Sequence, residues 1–241
     1  MKKVLLVFIA LFITRISLAQ ELMNWTRDRT FHITEDYVVL NSNHNIKMGL
    51  YTATYKNKTV AKGYYKNNQR VGIWNFFDQQ GKLVQTYNYD DKKLTYNDTS
   101  ELANSVYHAK ITYILDTEPQ KTDSVTRPVK IGGGAYAMSI LLDRTGNIKL
   151  LKQRPTDDKI GFTMTRTQQF TINNKGEILQ QQTIVILNDA EEISDMDNSN
   201  IEPELQQFIP ATINGRAVGC TISFTYNLSH KAGQKVIKRA L

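Results

Sequence analysis

A single cysteine, Cys220, stands in this 241-residue chain, so no intrachain disulfide can form and the core must rest on packing. Histidine is equally sparse. His32, His44, His108 and His230 are dispersed without ligand spacing, and none pairs locally with Cys, Asp or Glu in a metal-binding pattern. No Gly-x-Ser-x-Gly elbow occurs, and the Gly132-Gly133-Gly134 run lacks the Lys-Ser or Lys-Thr pair that a phosphate loop requires. Cys220 falls in a strand pattern with no helix N-terminus to activate it, so it is expected to pack inward as a small hydrophobe. These absences point away from an enzyme and away from a resident metal or cofactor.

Long hydrophobic runs are missing as well. The most apolar stretch, Val4 to Ile13, is about half the ~20 residues that a spanning helix needs, and Arg15 breaks its continuation. Lys2 and Lys3 precede it and Ser17-Leu18-Ala19 follow, which is the layout of a secretory signal. Residues 1–19 are therefore expected to be removed, leaving a periplasmic or secreted product with no integral membrane segment; an uncleaved anchor is the rival reading. Charge of one sign barely dominates. The formal net charge of +7 falls to about +4 once Lys2, Lys3 and Arg15 are gone, and the excess is scattered, so nucleic acid is not an expected partner.

What the chain does have is alternation. From Gly49 to Leu94, aromatic positions recur between polar turns, and the spacing suits short antiparallel strands joined as hairpins. The segment Gly63-Tyr64-Tyr65-Lys66-Asn67-Asn68-Gln69-Arg70-Val71-Gly72-Ile73-Trp74-Asn75-Phe76-Phe77-Asp78-Gln79-Gln80-Gly81-Lys82-Leu83 resembles the variant MORN repeats of bacterial secreted proteins. Asn68-Gln69 replaces the usual Asn-Gly-Lys, which predicts a looser turn there. MORN-type repeats imply an interaction surface, for which Trp74, Phe76, Tyr87 and Tyr89 are the candidates; alternatively the same rings are the core of a small sheet.

Beyond Asn97 the pattern changes. Tyr107 to Leu115 alternates as a strand, and Asp116 to Thr126 reads as linker. Ala135 to Leu142 carries helix formers without strict alternation, with a strand as the competing reading. Phe162 to Ile172 and Ile178 to Leu187 alternate around Asn173-Asn174-Lys175-Gly176, a hairpin. The acid-rich run Asp189 to Glu204 reads as a solvated loop. Within it Asp195-Met196-Asp197-Asn198-Ser199 spaces oxygens as calcium ligands, but Asn200 and Gln206 stand where such a loop needs Gly and Glu. Glu202 to Phe208 fits a short helix with Pro203 in its first turn and Leu205 and Phe208 inward.

The run Phe208-Ile209-Pro210-Ala211-Thr212-Ile213-Asn214-Gly215-Arg216-Ala217-Val218, leading into the alternating Cys220-Thr221-Ile222-Ser223-Phe224-Thr225-Tyr226, resembles the last turn and strand of the TonB C-terminal domain. Gly-Gly helices begin such domains, which favours a helix at 135–142. The resemblance implies an α+β chain: an N-terminal antiparallel β-hairpin repeat sheet, then a small TonB-like domain of two helices and a three-stranded antiparallel sheet. The divisions are a signal at 1–19, repeats at 20–100, strand and linker at 101–127, the TonB-like part at 128–230 and a basic tail at 231–241.

By the same resemblance, Val218 and Cys220, Thr221, Ile222, Ser223, Phe224, Thr225 and Tyr226 would receive a protein or peptide partner of the cell envelope by strand addition; alternatively the strand merely completes the sheet. The anchor and spacer through which that family transduces energy are missing, so autonomous transduction is not expected. Two rivals stand beside this reading. One is a structural module using the aromatic face on protein, glycan or membrane surfaces, with the C-terminal part self-associating as a homodimer. The other is a hydrolase, which would need a cleft joining both halves.

Overall fold

A computed structural model of the protein describes residues 21–29, 33–99, 109–142, 148–150 and 160–230. The expected signal (1–19) and basic tail (231–241) lie outside these residues. The first part is an antiparallel meander: β1 (Leu22–Asp28), β2 (Ile33–Leu40), β3 (Asn43–Tyr55), β4 (Lys58–Lys66), β5 (Gln69–Phe77), β6 (Leu83–Asn88) and β7 (Lys93–Asn97), in that spatial order. Two of its turns show why the chain reverses so tightly. Lys56-Asn57 has φ of 46° and 65° between the partners Tyr55 and Lys58, and Asn67-Asn68 has 49° and 67° between Lys66 and Gln69. Positive φ at both central residues is the type I′ geometry that matches strand twist, and Asn tolerates it. The looser turn predicted from Asn68-Gln69 does not occur, because Asn67 and Asn68 themselves form the two-residue loop.

Alternation then sorts side chains. Trp74 and Phe76 of β5 and Tyr51 of β3 are fully buried on one face, while Leu50, Tyr64 and Ile73 point to the other and are exposed. Tyr65 meets the Trp74 ring edge-on at 5.2 Å and 89°, and Tyr51 lies 5.1 Å from it. Each such ring contributes on the order of 2–3 kcal/mol by burial alone. Gly63 makes room for this cluster, since a Cβ there would sit 2.2 Å from the Trp74 ring.

The second part supplies β8 (Lys110–Leu115), β9 (Val125–Thr126), β10 (Val129–Lys130), β11 (Phe162–Ile172), β12 (Ile178–Leu187), β13 (Ala190–Asp195), β14 (Phe208–Ile209), β15 (Ala211–Ile213), β16 (Arg216–Val218) and β17 (Cys220–His230). Five of these strands form one sheet, ordered β13-β12-β11-β17-β8, while β10-β14 and β16-β15-β9 make two small ones. Asn214-Gly215, with φ of 52° and 78°, closes the β15–β16 hairpin as the sequence predicts. The helical reading of 135–142 holds. Helix α1 comprises a π-helical turn, Gly133–Met138, that continues as one α turn, Ser139–Leu142. All ten of its residues are buried, as suits a helix apolar all round. It starts from Gly132 at φ 99°, where a Cβ would lie 2.6 Å from that of Ala137. Helix α2 (Pro203–Gln206) is a single turn that buries Leu205, and Phe208 is buried just beyond it in β14.

The α+β expectation is therefore wrong. Among the described residues 61% are strand and 9% helical, and the helices are too short to form a two-helix layer. Two physical reasons account for the difference. The acid-rich segment is a loop only in its second half, because Ala190–Asp195 pairs along β12; and the strand expected near Tyr107–Leu115 pairs with β17, raising the sheet from three strands to five. The parts on either side of residue 101 also share one hydrophobic cluster, which runs from Ile33 through Trp74 and Tyr136 to Phe224.

Replacing Gly63 by alanine should lower stability by about 2–3 kcal/mol, because backbone on both sides of Trp74 must yield. The measurement is the urea midpoint at constant slope, and an unchanged midpoint would show that the indole has room to move.

Candidate functional site

The residues expected to receive a partner lie inside the larger fold. Strand β17 is flanked on both sides: Cys220 to Thr225 pair with Ile172 to Thr167 of β11 and with Leu115 to Lys110 of β8. Its main-chain groups there are occupied, so Cys220, Thr221, Ile222, Ser223, Phe224 and Thr225 offer no edge. Side chains alternate as predicted, with Ile222 and Phe224 buried, Thr221, Ser223, Thr225 and Tyr226 half-buried, and Val218 half-buried at the end of β16. Cys220 is completely buried, and burial together with the neighbouring Asp116 charge pushes its thiol up to about 11, which keeps it protonated. The aromatic candidates sit inside as well. Trp74, Phe76 and Tyr87 are buried and Tyr89 is partly buried against them, so they form core rather than surface.

The available edge is one strand further out. Among the described residues no strand lies beyond β8. The Asp116 N–H donates to the Gly219 carbonyl at 3.0 Å, continuing the unbroken β8–β17 register. Antiparallel pairing alternates, so the N–H and C=O of Leu115, Tyr113 and Ile111 point away from β17, into the space beside the sheet. Side chains repeat the message. Ile111, Tyr113 and Leu115 lie opposite Phe224, Ile222 and Cys220, on the core-facing side, yet Ile111 and Tyr113 are exposed; on the other side Ile114 is 74% exposed. Of the other edges of the two large sheets, β13 has Glu191, Glu192 and Asp195 and β1 has Arg27 and Asp28, while β7 has the single Lys93. Charged residues are a common guard against edge pairing, and β8 has only Lys110.

A second feature, unforeseen in the sequence, is a buried polar chain. Arg70 donates to the hydroxyls of Tyr65 (3.2 Å), Tyr89 (2.8 Å) and Tyr136 (3.1 Å), with its guanidinium 4.4 Å above the Trp74 ring. Burial opposes this charge, but the phenolic oxygens around it hold the charged form. Tyr51 gives its one proton to Glu35 at 2.6 Å, so Tyr136 must be the donor in the 2.7 Å contact between the Tyr136 and Tyr51 hydroxyls. A directional chain thus leads from Arg70 through Tyr136 and Tyr51 to buried Glu35. Arg29 lies 3.6 Å from Glu35 and makes a bidentate pair with Glu202, and Lys47 lies 3.6 Å from Glu202. Burial tends to raise the Glu202 pKa, but the Arg29 hydrogen bonds and the Arg29 and Lys47 charges bring it down to about 2. Lys130 is buried too, donating to the carbonyls of Ile131 and Gln207, and burial with the Arg70 charge nearby lowers its pKa well below the usual value.

The signal for both charges was present in the alternation. Arg70 shares its phase with Trp74 and Phe76, and Glu35 with Ile33, Tyr37 and Val39, so the pleat places both on the core face. A cleft of about 280 Å³ lies at Gln180, Asp195, Met196, Asp197 and Gln206, all from the second part of the chain. Its acids hold the local loop: Asp195 accepts from Gln180 and Gln182, and Asp197 from Ser199. No helix among the described residues is long and apolar enough to cross a membrane. Comparison with family models, curated proteins and solved structures finds no match to the chain.

Glu202 ties the second part of the chain to Arg29 and Lys47, and its ionised form is the stabilising one. With the folded value near 2 and the ordinary value 4.5, that stability is complete above pH 4.5 and fades as pH falls toward 2. Glu202→Gln should lose about 2 kcal/mol at pH 7, a figure reduced for the carboxylate's partial exposure, and the gap to the parent should close near pH 2. Denaturant titrations at the two pH values make the comparison, and a gap that does not change with pH would refute the assignment.

Proposed function

We infer that this protein is a non-enzymatic interaction module of the cell envelope that takes an extended partner segment by strand addition at the outer edge of β8. The observation that carries the reading is that edge itself: outward main-chain groups at Ile111, Tyr113 and Leu115, with apolar side chains exposed on both faces. Main-chain hydrogen bonds would supply affinity, and the alternating side chains would select sequence. The signal-like residues 1–19 support export, and the TonB-like run from Pro210 to Val218 supports recognition through backbone. The receiving strand is the neighbour of the one expected from sequence. In this reading the repeat sheet is scaffold, its aromatic rings spent on the core.

The test uses a photo-crosslinking amino acid at Ile114 in cells, with a control at Ile193 on β13. An adduct is expected at position 114 and none at 193. Tyr113→Pro removes an N–H that faces away from β17, so the sheet should persist while the adduct is lost. No adduct at 114, or one that survives the proline, would refute strand addition.

A further inference from the structure

Read from either end, β8 and the residue after it are nearly self-complementary. The order is Lys110-Ile111-Thr112-Tyr113-Ile114-Leu115-Asp116: a cation, an apolar residue, a small polar one, an aromatic, two apolar residues and an anion. Lys110 and Asp116 are both exposed. On the face shared with buried Cys220, Ile222 and Phe224, the apolar row of the sheet runs on through half-buried Leu115 to exposed Tyr113 and Ile111, and among the described residues no further strand follows.

We propose that β8 pairs antiparallel with β8 of a second copy of this chain, with Tyr113 against Tyr113 of the partner on the two-fold axis. This rests on the reading of β8 as a receiving edge and names its occupant. Backbone parity restricts the register. Outward groups belong to Ile111, Tyr113 and Leu115, so only registers that set these residues against one another form a ladder, and a shift by one residue forms none. Among the permitted registers, the one centred on Tyr113 sets Ile111 against Leu115, Thr112 against Ile114 and Lys110 against Asp116, the last pair twice by symmetry. Moving the centre by one residue, to Thr112 or Ile114, keeps the parity but takes Asp116 away from Lys110 and leaves part of each strand unpaired, and moving it further, to Ile111 or Leu115, leaves more unpaired. The contact is isologous and closes at two copies, giving a continuous ten-stranded sheet and extending the apolar face across the axis. A single strand pair is a small interface, so the dimer is weak and depends on concentration.

The test is sedimentation equilibrium of the purified protein across a concentration series, with hydrogen exchange read at Ile111, Tyr113 and Leu115. A monomer–dimer equilibrium is expected, with those amides more protected as concentration rises. Lys110→Glu sets like charges against each other twice and should raise the dissociation constant about tenfold, as should Asp116→Lys alone. The double variant Lys110→Glu/Asp116→Lys restores the opposition and should return most of the lost affinity, an outcome that loss of folding cannot produce. A dimer indifferent to all three variants is built elsewhere and overturns the proposal. A monomer at every concentration with fast exchange at the three amides overturns self-pairing and leaves the edge free for another segment. A monomer in which those amides are already protected means that the chain covers its own edge, and this overturns both the dimer and the strand-addition reading.

Discussion

The charge on Arg70 is the constraint that the rest of the structure depends on. A guanidinium moved into an apolar interior without partners is prohibitively unfavourable, so every group that touches it must be held in place. Three tyrosines from three stretches of chain provide acceptors: Tyr65 from β4, Tyr89 after β6, and Tyr136 from α1. Tyr136 matters most. Its single hydroxyl accepts from Arg70 and donates to Tyr51, and this fixes both the helix that carries it and the direction of every proton up to Glu35. A chain of hydrogen bonds oriented from a cation toward an anion polarises in one sense, so each bond strengthens the next.

That chain explains why a fully buried helix sits where it does. Glycines at 132 and 133 and small residues at 135 and 137 let α1 approach the repeat sheet closely, and Phe76 stacks on Tyr136 at 6.1 Å. Gln85 of β6 fixes the approach from both sides, donating to the Lys130 carbonyl and accepting from the Gly132 N–H. At the other end, the carbonyls of Leu141 and Leu142 would be buried without partners, and the five-stranded sheet supplies them: Gln181 donates to Leu141, and Arg166 and Gln168 donate to Leu142. The helix is thus tied by polar groups at both ends and by apolar contact along its length, and it joins the two large sheets into one core.

The hairpins were legible because their signals are local. Alternation in Phe162 to Ile172, the Asn-Gly pair at 214–215 and the spacing of aromatics in the repeats each act over a few residues, and each took the expected form. Pairing between distant segments was not legible. Nothing in Ala190–Asp195 announces a strand, since its pairing is decided by the unfilled edge of β12 next to it. Likewise the alternation of Tyr107–Leu115 shows that it is extended but not which strand receives it. The polar core was legible in phase and missed in substance, because Arg70 and Glu35 look like surface residues until the faces of their strands are followed.

The same distinction moves the proposed interaction site. A run such as Cys220 to Tyr226 suits regular pairing, and regular pairing makes a strand a good interior member of a sheet as readily as a good edge. Burial of Cys220, Ile222 and Phe224 with ladders on both sides commits β17 to the interior. What the sheet offers outward must then come from its edge strands, and β8 lacks the acids that discourage pairing along the opposite edge, β13. An edge left this way, in a sheet that guards its opposite edge with acids, is a place where main-chain recognition can occur.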